Sequence, residues 1–175
     1  IMASDFLILR RRVRWLLGLF VAGLVASGLT AFPLRLEVTI LQKWLGEGSS
    51  METLWPQMAH WISLVHRGIS AAGDDYPFLS YGTDWLAFGH LVIAIAFIGP
   101  LRDPVKNLWV IEFGMLACAL VIPLALICGP VRGIPFFWRL IDCSFGVVGI
   151  LPLWLARRYV HRMAGLPNAG AATAT

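Results

Sequence analysis

Charge is scarce in this sequence: only 14% of its 175 residues are Asp, Glu, Lys or Arg, where an ordinary soluble domain carries about 25%. That shortage, set against the apolar content below, excludes a disordered chain, a charged coiled coil and an ordinary soluble enzyme domain. Cysteine is sparse as well. Three cysteines without a Cys-x-x-Cys pair exclude a disulfide-rich secreted scaffold and argue against a membrane thiol oxidoreductase. Gly-x-Ser-x-Gly is absent, and His60, His66, Asp74, Asp75 and Asp84 do not have the spacing of a metal site. No internal repeat is present. What the chain has instead is apolar surface: 58% of residues are hydrophobic and the mean hydropathy is +0.75. These values describe a small integral membrane protein.

A membrane-spanning helix takes about 20 mostly apolar residues. Four stretches qualify: about 15–32, stopped by Pro33; 85–101, between Asp84 and Arg102-Asp103-Pro104; 108–128, ending at Gly129-Pro130; and 138–156, closed by Arg157-Arg158. Proline cannot continue a helix and biases the residue before it away from helical geometry. The first stretch is longer than the 7–15-residue apolar core of a signal peptide, so it is expected to be retained. The expected fold is all-α: a polytopic four-helix transmembrane bundle, with residues 1–164 as a single membrane domain and 33–84 as a long outer loop.

Orientation follows from Lys and Arg in the short loops and span ends. With a cytoplasmic N-terminus, the inner segments hold Arg10, Arg11, Arg12, Arg14, Arg102, Lys106, Arg157, Arg158 and Arg162. The longer outer segments hold Arg35, Lys43, Arg67, Arg132 and Arg139. Both termini are therefore expected in the cytoplasm. Much of the net charge of +4 is this topology signal, and no nucleic-acid partner is needed to explain it. Trp15, Trp85, Trp109, Trp138 and Trp154 fall at span ends, where aromatic rings favour the membrane–water interface.

In the outer loop, Leu54, Trp55, Met58, Trp61, Ile62 and Val65 recur at helical spacing, with Gln57, His60, Ser63 and Arg67 opposite them. The pattern predicts an amphipathic helix over 54–67 with Thr53 as its N-cap, lying on the outer leaflet or capping the bundle. Residues 34–45 fit either a strand or a short helix; the helix is preferred because no partner strand is evident. Residues 71–75 are expected as a turn or linker, and 165–175 as a disordered tail.

Helices in lipid associate through close packing and polar contacts. Small residues form stripes on three spans: Gly18, Ala22 and Ala26 with Gly23 and Ser27; Gly114 and Cys118; Gly146 and Gly149. At least two of these stripes are expected to be helix contacts.

Ionisable residues within spans are functional candidates by default, and there are three. His90 and Asp142 lie at similar depth from the outer side, about 9 and about 6 Å along their helices at a rise of about 1.5 Å per residue. With Arg139 and Arg132 they form a candidate polar cluster. Glu112 enters from the inner side, where Arg14, Arg102 and Arg157 are the available partners and Arg102 is taken as the pair. Either set serves as a structural pair fixing helix register, or the outer cluster holds a ligand.

Haem needs axial ligands such as His90, with His60 or His66 as the second; a quinone held by His90 and aromatic rings is the other cofactor candidate. No cofactor or metal is predicted outright. Ser144 and Cys143 flank Asp142 but lack a recognisable nucleophile motif. Cys128 and Cys143 lie around one outer hairpin, and a buried Cys143 thiol is preferred to a disulfide.

Three segments, Tyr81-Gly82-Thr83-Asp84-Trp85-Leu86-Ala87-Phe88-Gly89-His90, Trp109-Val110-Ile111-Glu112-Phe113-Gly114-Met115 and Trp138-Arg139-Leu140-Ile141-Asp142-Cys143-Ser144-Phe145-Gly146, together resemble an uncharacterised bacterial family of four-helix membrane proteins over residues 81–158. The resemblance implies a bacterial inner membrane and transfers no activity or site. The expected role is a packing, accessory or oligomeric component of a membrane assembly, with lipid and other membrane proteins or copies of itself as partners. A haem- or quinone-binding redox protein using His90 is one alternative. An intramembrane enzyme or transporter using His90, Asp142 and Arg139 is the other.

Overall fold

The computed structural model describes residues 2–166. The protein is 88% helix, with no strand among the described residues. In chain order the helices are α1 (Met2–Ala31), α2 (Leu34–Leu45), α3 (Ser50–Leu54), α4 (Pro56–Asp75), α5 (Tyr81–Ala96), α6 (Ile98–Arg102), α7 (Leu108–Val131) and α8 (Phe136–Ala164), with a 3-10 turn at Pro77–Ser80 before α5. Four helical segments are long and apolar enough to cross a membrane: Ser4–Ala31, Pro77–Arg102, Leu108–Val131 and Phe136–Ala164. Each keeps most of its apolar residues on the surface; Trp15, Leu19, Ile127 and Phe145 are examples.

The described chain divides into two compact units. The first comprises the residues up to Gly23 and those from Ile93 on; the second is Leu24–Val92. In the first unit, α7 and α8 run antiparallel. Gly114 lies against Leu153 and Phe97, Cys118 against Gly146 and Gly149, and the Cys143 thiol points at the Ile122 carbonyl. The small-residue stripes of these two helices therefore face each other. Val13 and Leu17 of α1, Val110 and Ile111 of α7, and Leu153, Ala156, Val160 and Met163 of α8 are buried, at spacings of three and four along α8. Phe97 is fully buried and stacks at a tilt on Phe20, with ring centroids 4.9 Å apart.

Several helix limits differ from the sequence expectation. α1 begins at Met2 rather than near Trp15, because its arginine-rich first half is docked: Val13 and Leu17 are buried, and Arg10 and Arg14 reach carbonyls of α6. The second span is interrupted at Phe97. Pro100 has no N–H for the Ala96 carbonyl and its ring crowds that carbonyl, so the chain takes a tight turn through Phe97 N to Ala94 O and restarts as α6. The third span runs through Gly129-Pro130 to Val131. It stops at Gly133, whose φ of +69° suits glycine. There the Gly133 N–H bonds to the Pro130 carbonyl and the Ile134 N–H to the Gly129 carbonyl, the paired bonds of a Schellman motif. α8 continues past Arg157-Arg158 to Ala164, with Arg158 over the Trp154 ring.

In the second unit, α2 and α4 pack together, with Val38, Met58, Ala59 and Ile62 buried. Residues 34–45 are helical, as preferred from sequence. The amphipathic helix exists, but it starts at Pro56 and continues to Asp75. Thr53 is not its N-cap: its hydroxyl donates to Ser50 O within α3, and Pro56, needing no N–H partner, opens α4 in the first-turn position. Ser49 is the capping residue here, its hydroxyl accepting from Met51 N at the start of α3. The 71–75 stretch is the last turn of α4 rather than a linker, held by an ion pair of 2.8 Å from Arg35 to Asp74. Gly28 near the end of α1 lies against the Ala87 carbonyl and the His90 Cβ of α5. The expected tail falls, from residue 167 on, outside the described residues.

Candidate functional site

The polar residues singled out from sequence are built into four places. In α5, the His90 Nδ1–H donates to the Leu86 carbonyl at 2.8 Å. A carbonyl only accepts, so in the neutral ring the lone pair is on Nε2, the atom available to a ligand. His90 belongs to the second unit.

Arg132, Arg139 and Asp142 belong to the first unit, and among the described residues no hydrogen bond or ion pair links them. Arg132 is the C-cap of α7, its backbone N–H meeting the Cys128, Gly129 and Pro130 carbonyls. Arg139 lies along Gly129, its methylene stem filling the space a side chain would take there. Its guanidinium sits 5.1 Å over the Phe136 ring, and its buried Nε–H has no acceptor. Asp142 is half-buried one turn further along α8. All three cysteines are free thiols, so Cys128 and Cys143 are not joined.

At the other end of the first unit, Glu112 pairs with Arg157, Nε to Oε1 at 2.8 Å. The partner is not Arg102, whose carbonyl instead accepts from Arg10 at 3.0 Å. Antiparallel packing brings the first turn of α7 beside the last part of α8, which puts Arg157 within reach. Arg14 is engaged elsewhere, its Nε donating to the Leu101 carbonyl at 2.9 Å. The last carbonyls of α6, which have no partner within that helix, are thus capped by two arginines of α1. Their i, i+4 spacing was the only sequence signal for this cap.

In the second unit, Glu47 is the hub of a polar clasp that composition and motif did not reveal. His60 Nδ1–H donates to Glu47 Oε1 at 2.8 Å and Arg67 to Oε2 at 3.3 Å. Ser63, assigned by its spacing to the polar side of α4, is in fact buried. Its hydroxyl accepts from Glu47 N at 2.9 Å and donates to Gln42 Oε1 at 2.8 Å, which satisfies both of its roles and fixes the loop after α2 against α4. The hydrogen bond from His60 holds the Glu47 carboxyl below its usual range, with Arg67 assisting and burial opposing. His66 Nε2 lies 3.4 Å from Thr39 Oγ1, so His60 and His66 are engaged at different places on α4. A cleft of about 510 Å³ borders α2 and the end of α4. Three of its polar side chains are already engaged: Thr39 donates to Arg35 O, Thr83 to Ser80 O, and Arg35 holds Asp74.

Among the described residues, no three His, Cys, Asp or Glu side chains converge as metal ligands. No family model, curated protein or solved structure matches the chain.

Proposed function

We propose that this chain is a small integral membrane protein of the bacterial inner membrane, both termini cytoplasmic, acting as a packing, accessory or oligomeric component of a membrane assembly. The observation that carries this reading is an unfilled face on α1. The stripes on α7 and α8 are closed against each other, but side chains built at Gly18 and Gly23 would meet nothing within 4 Å. Ala22 and Ala26 are exposed beside them. In lipid, such a face gains contact energy by accepting another helix closely. The polar pairs described above are consistent with a role in register and capping. Gentle purification in native lipid tests the reading. A homo-oligomer or a stoichiometric membrane partner is the expected result; a partner-free monomer that turns over a substrate would overturn it.

A second reading, a haem- or quinone-binding protein, is supported by one observation, the free Nε2 of His90. An absorption spectrum of the same preparation without a Soret band, and a lipid extract without quinone, would remove it.

A further inference from the structure

We propose that the arginine-rich end of the first unit is a binding surface for the headgroups of anionic phospholipids. Charge is divided unevenly in this protein. The first unit carries eleven Lys and Arg against four carboxylates, and the second carries three against six. Within the first unit most of the cations gather at one end, where contacts knit four helices together: Arg10 and Arg14 of α1 to the α6 carbonyls, Arg12 of α1 over the Tyr159 ring of α8 at 5.9 Å, and Arg157 of α8 to Glu112 of α7.

Two of the three carboxylates at this end are already used; the third, Asp5, is exposed in the first turn of α1. Glu112 is held by Arg157, and Asp103 takes Lys106 at 3.6 Å. Among the described residues, Arg10, Arg11, Arg12, Arg14, Arg102 and Arg158 have no ion-pair partner. A guanidinium has five N–H donors. The bonds to carbonyls and rings orient Arg10, Arg12, Arg14 and Arg158 without neutralising them, and leave most of their donors open. Open donors in a fixed fork suit the paired oxygens of a phosphate.

The neighbouring surface decides what kind of anion fits. Trp15 is 72% exposed and Leu19 68%, both on α1 within two turns of its arginines, and Trp109, 66% exposed, lies one turn before Glu112 on α7. A free phosphate or an acidic peptide makes no use of that apolar flank. A phospholipid does, with its headgroup phosphate at the guanidinium groups and its acyl chains along the rings. Clusters of four to eight basic residues next to a span are a recognised anionic-lipid surface.

The proposal rests on the membrane-spanning reading, and its test separates the two. The full chain is reconstituted in vesicles of phosphatidylcholine and phosphatidylglycerol, with one or the other lipid brominated on its acyl chains, and tryptophan quenching gives the relative affinity. Quenching by neither lipid would mean that the chain does not insert, and would overturn both readings. The expected result is a several-fold preference for phosphatidylglycerol that weakens at high salt and is not competed by inorganic phosphate. R11Q/R12Q should lose most of it, bringing quenching by the two lipids close to equal. K43Q/R132Q, which removes equal charge elsewhere, should keep it, and R11K/R12K should keep only part of it, since an ammonium retains the charge without the planar fork. Equal quenching by the two lipids in the wild type would overturn the proposal. Equal loss in K43Q/R132Q would overturn it too, since bulk charge would then be the cause.

Discussion

Glycines in this protein have different consequences according to what faces them. At Gly146 a Cβ would run into the Cys118 carbonyl, which is backbone and cannot rotate away. Gly146→Val should therefore lower stability by about 1–3 kcal/mol, the usual cost of overpacking, read as a lower midpoint of thermal unfolding in detergent. Gly18→Ala should leave that midpoint unchanged, because nothing lies within 4 Å of the new methyl. The sequence carried both stripes in the same alphabet; only the facing helix distinguishes them. Glu47 is the second residue-scale case. Its folded-state carboxyl titrates below the ordinary value of 4.5, so the unfolded state binds the proton more tightly. The stabilisation is fully present above that value and is lost as pH falls through the lower, folded one. Hydrogen exchange in α2 and α4 should accelerate below about pH 4.5, and Glu47→Gln should remove that pH dependence.

At the scale of elements, helix content was legible and helix ends were not. Apolar length and interfacial tryptophans identified four segments, and the structure has four helices able to span. The ends failed where tertiary contacts override local signals. Pro130 looks like a stop but falls in the last turn of α7, where the Schellman bonds of Gly133 and Ile134 close the helix instead. Gly133→Ala should cost about 1 kcal/mol, since only glycine adopts its positive φ without strain. Arg10 to Arg14 lie ahead of the span read from sequence, yet they continue α1, and Arg10 and Arg14 reach carbonyls of α6. Ser63 looks solvent-facing by period and is buried because Gln42 and Glu47, distant in sequence, satisfy its hydroxyl. Of the candidate site residues, the Glu112 pairing was readable in kind but not in partner, since Arg102 and Arg157 are equivalent until the antiparallel register of α7 and α8 is known.

For the whole molecule, the scarcity of charge is the organising fact, because it leaves the few cations concentrated at one end of the first unit. The proposed orientation places that end in the cytoplasm. A reporter that folds only inside the cell should be active when fused after Arg162 and silent when inserted at Ser49; the reverse pattern would invert the orientation. On the proposed reading, the open α1 face receives another helix. Native mass measurement of the protein in lipid nanodiscs, wild type against Gly18→Leu/Ala22→Leu, tests it most directly. The wild type should give an oligomer or a defined partner complex, and the variant a folded, partner-free monomer. A monomeric wild type, or an identical assembly in both, would contradict it.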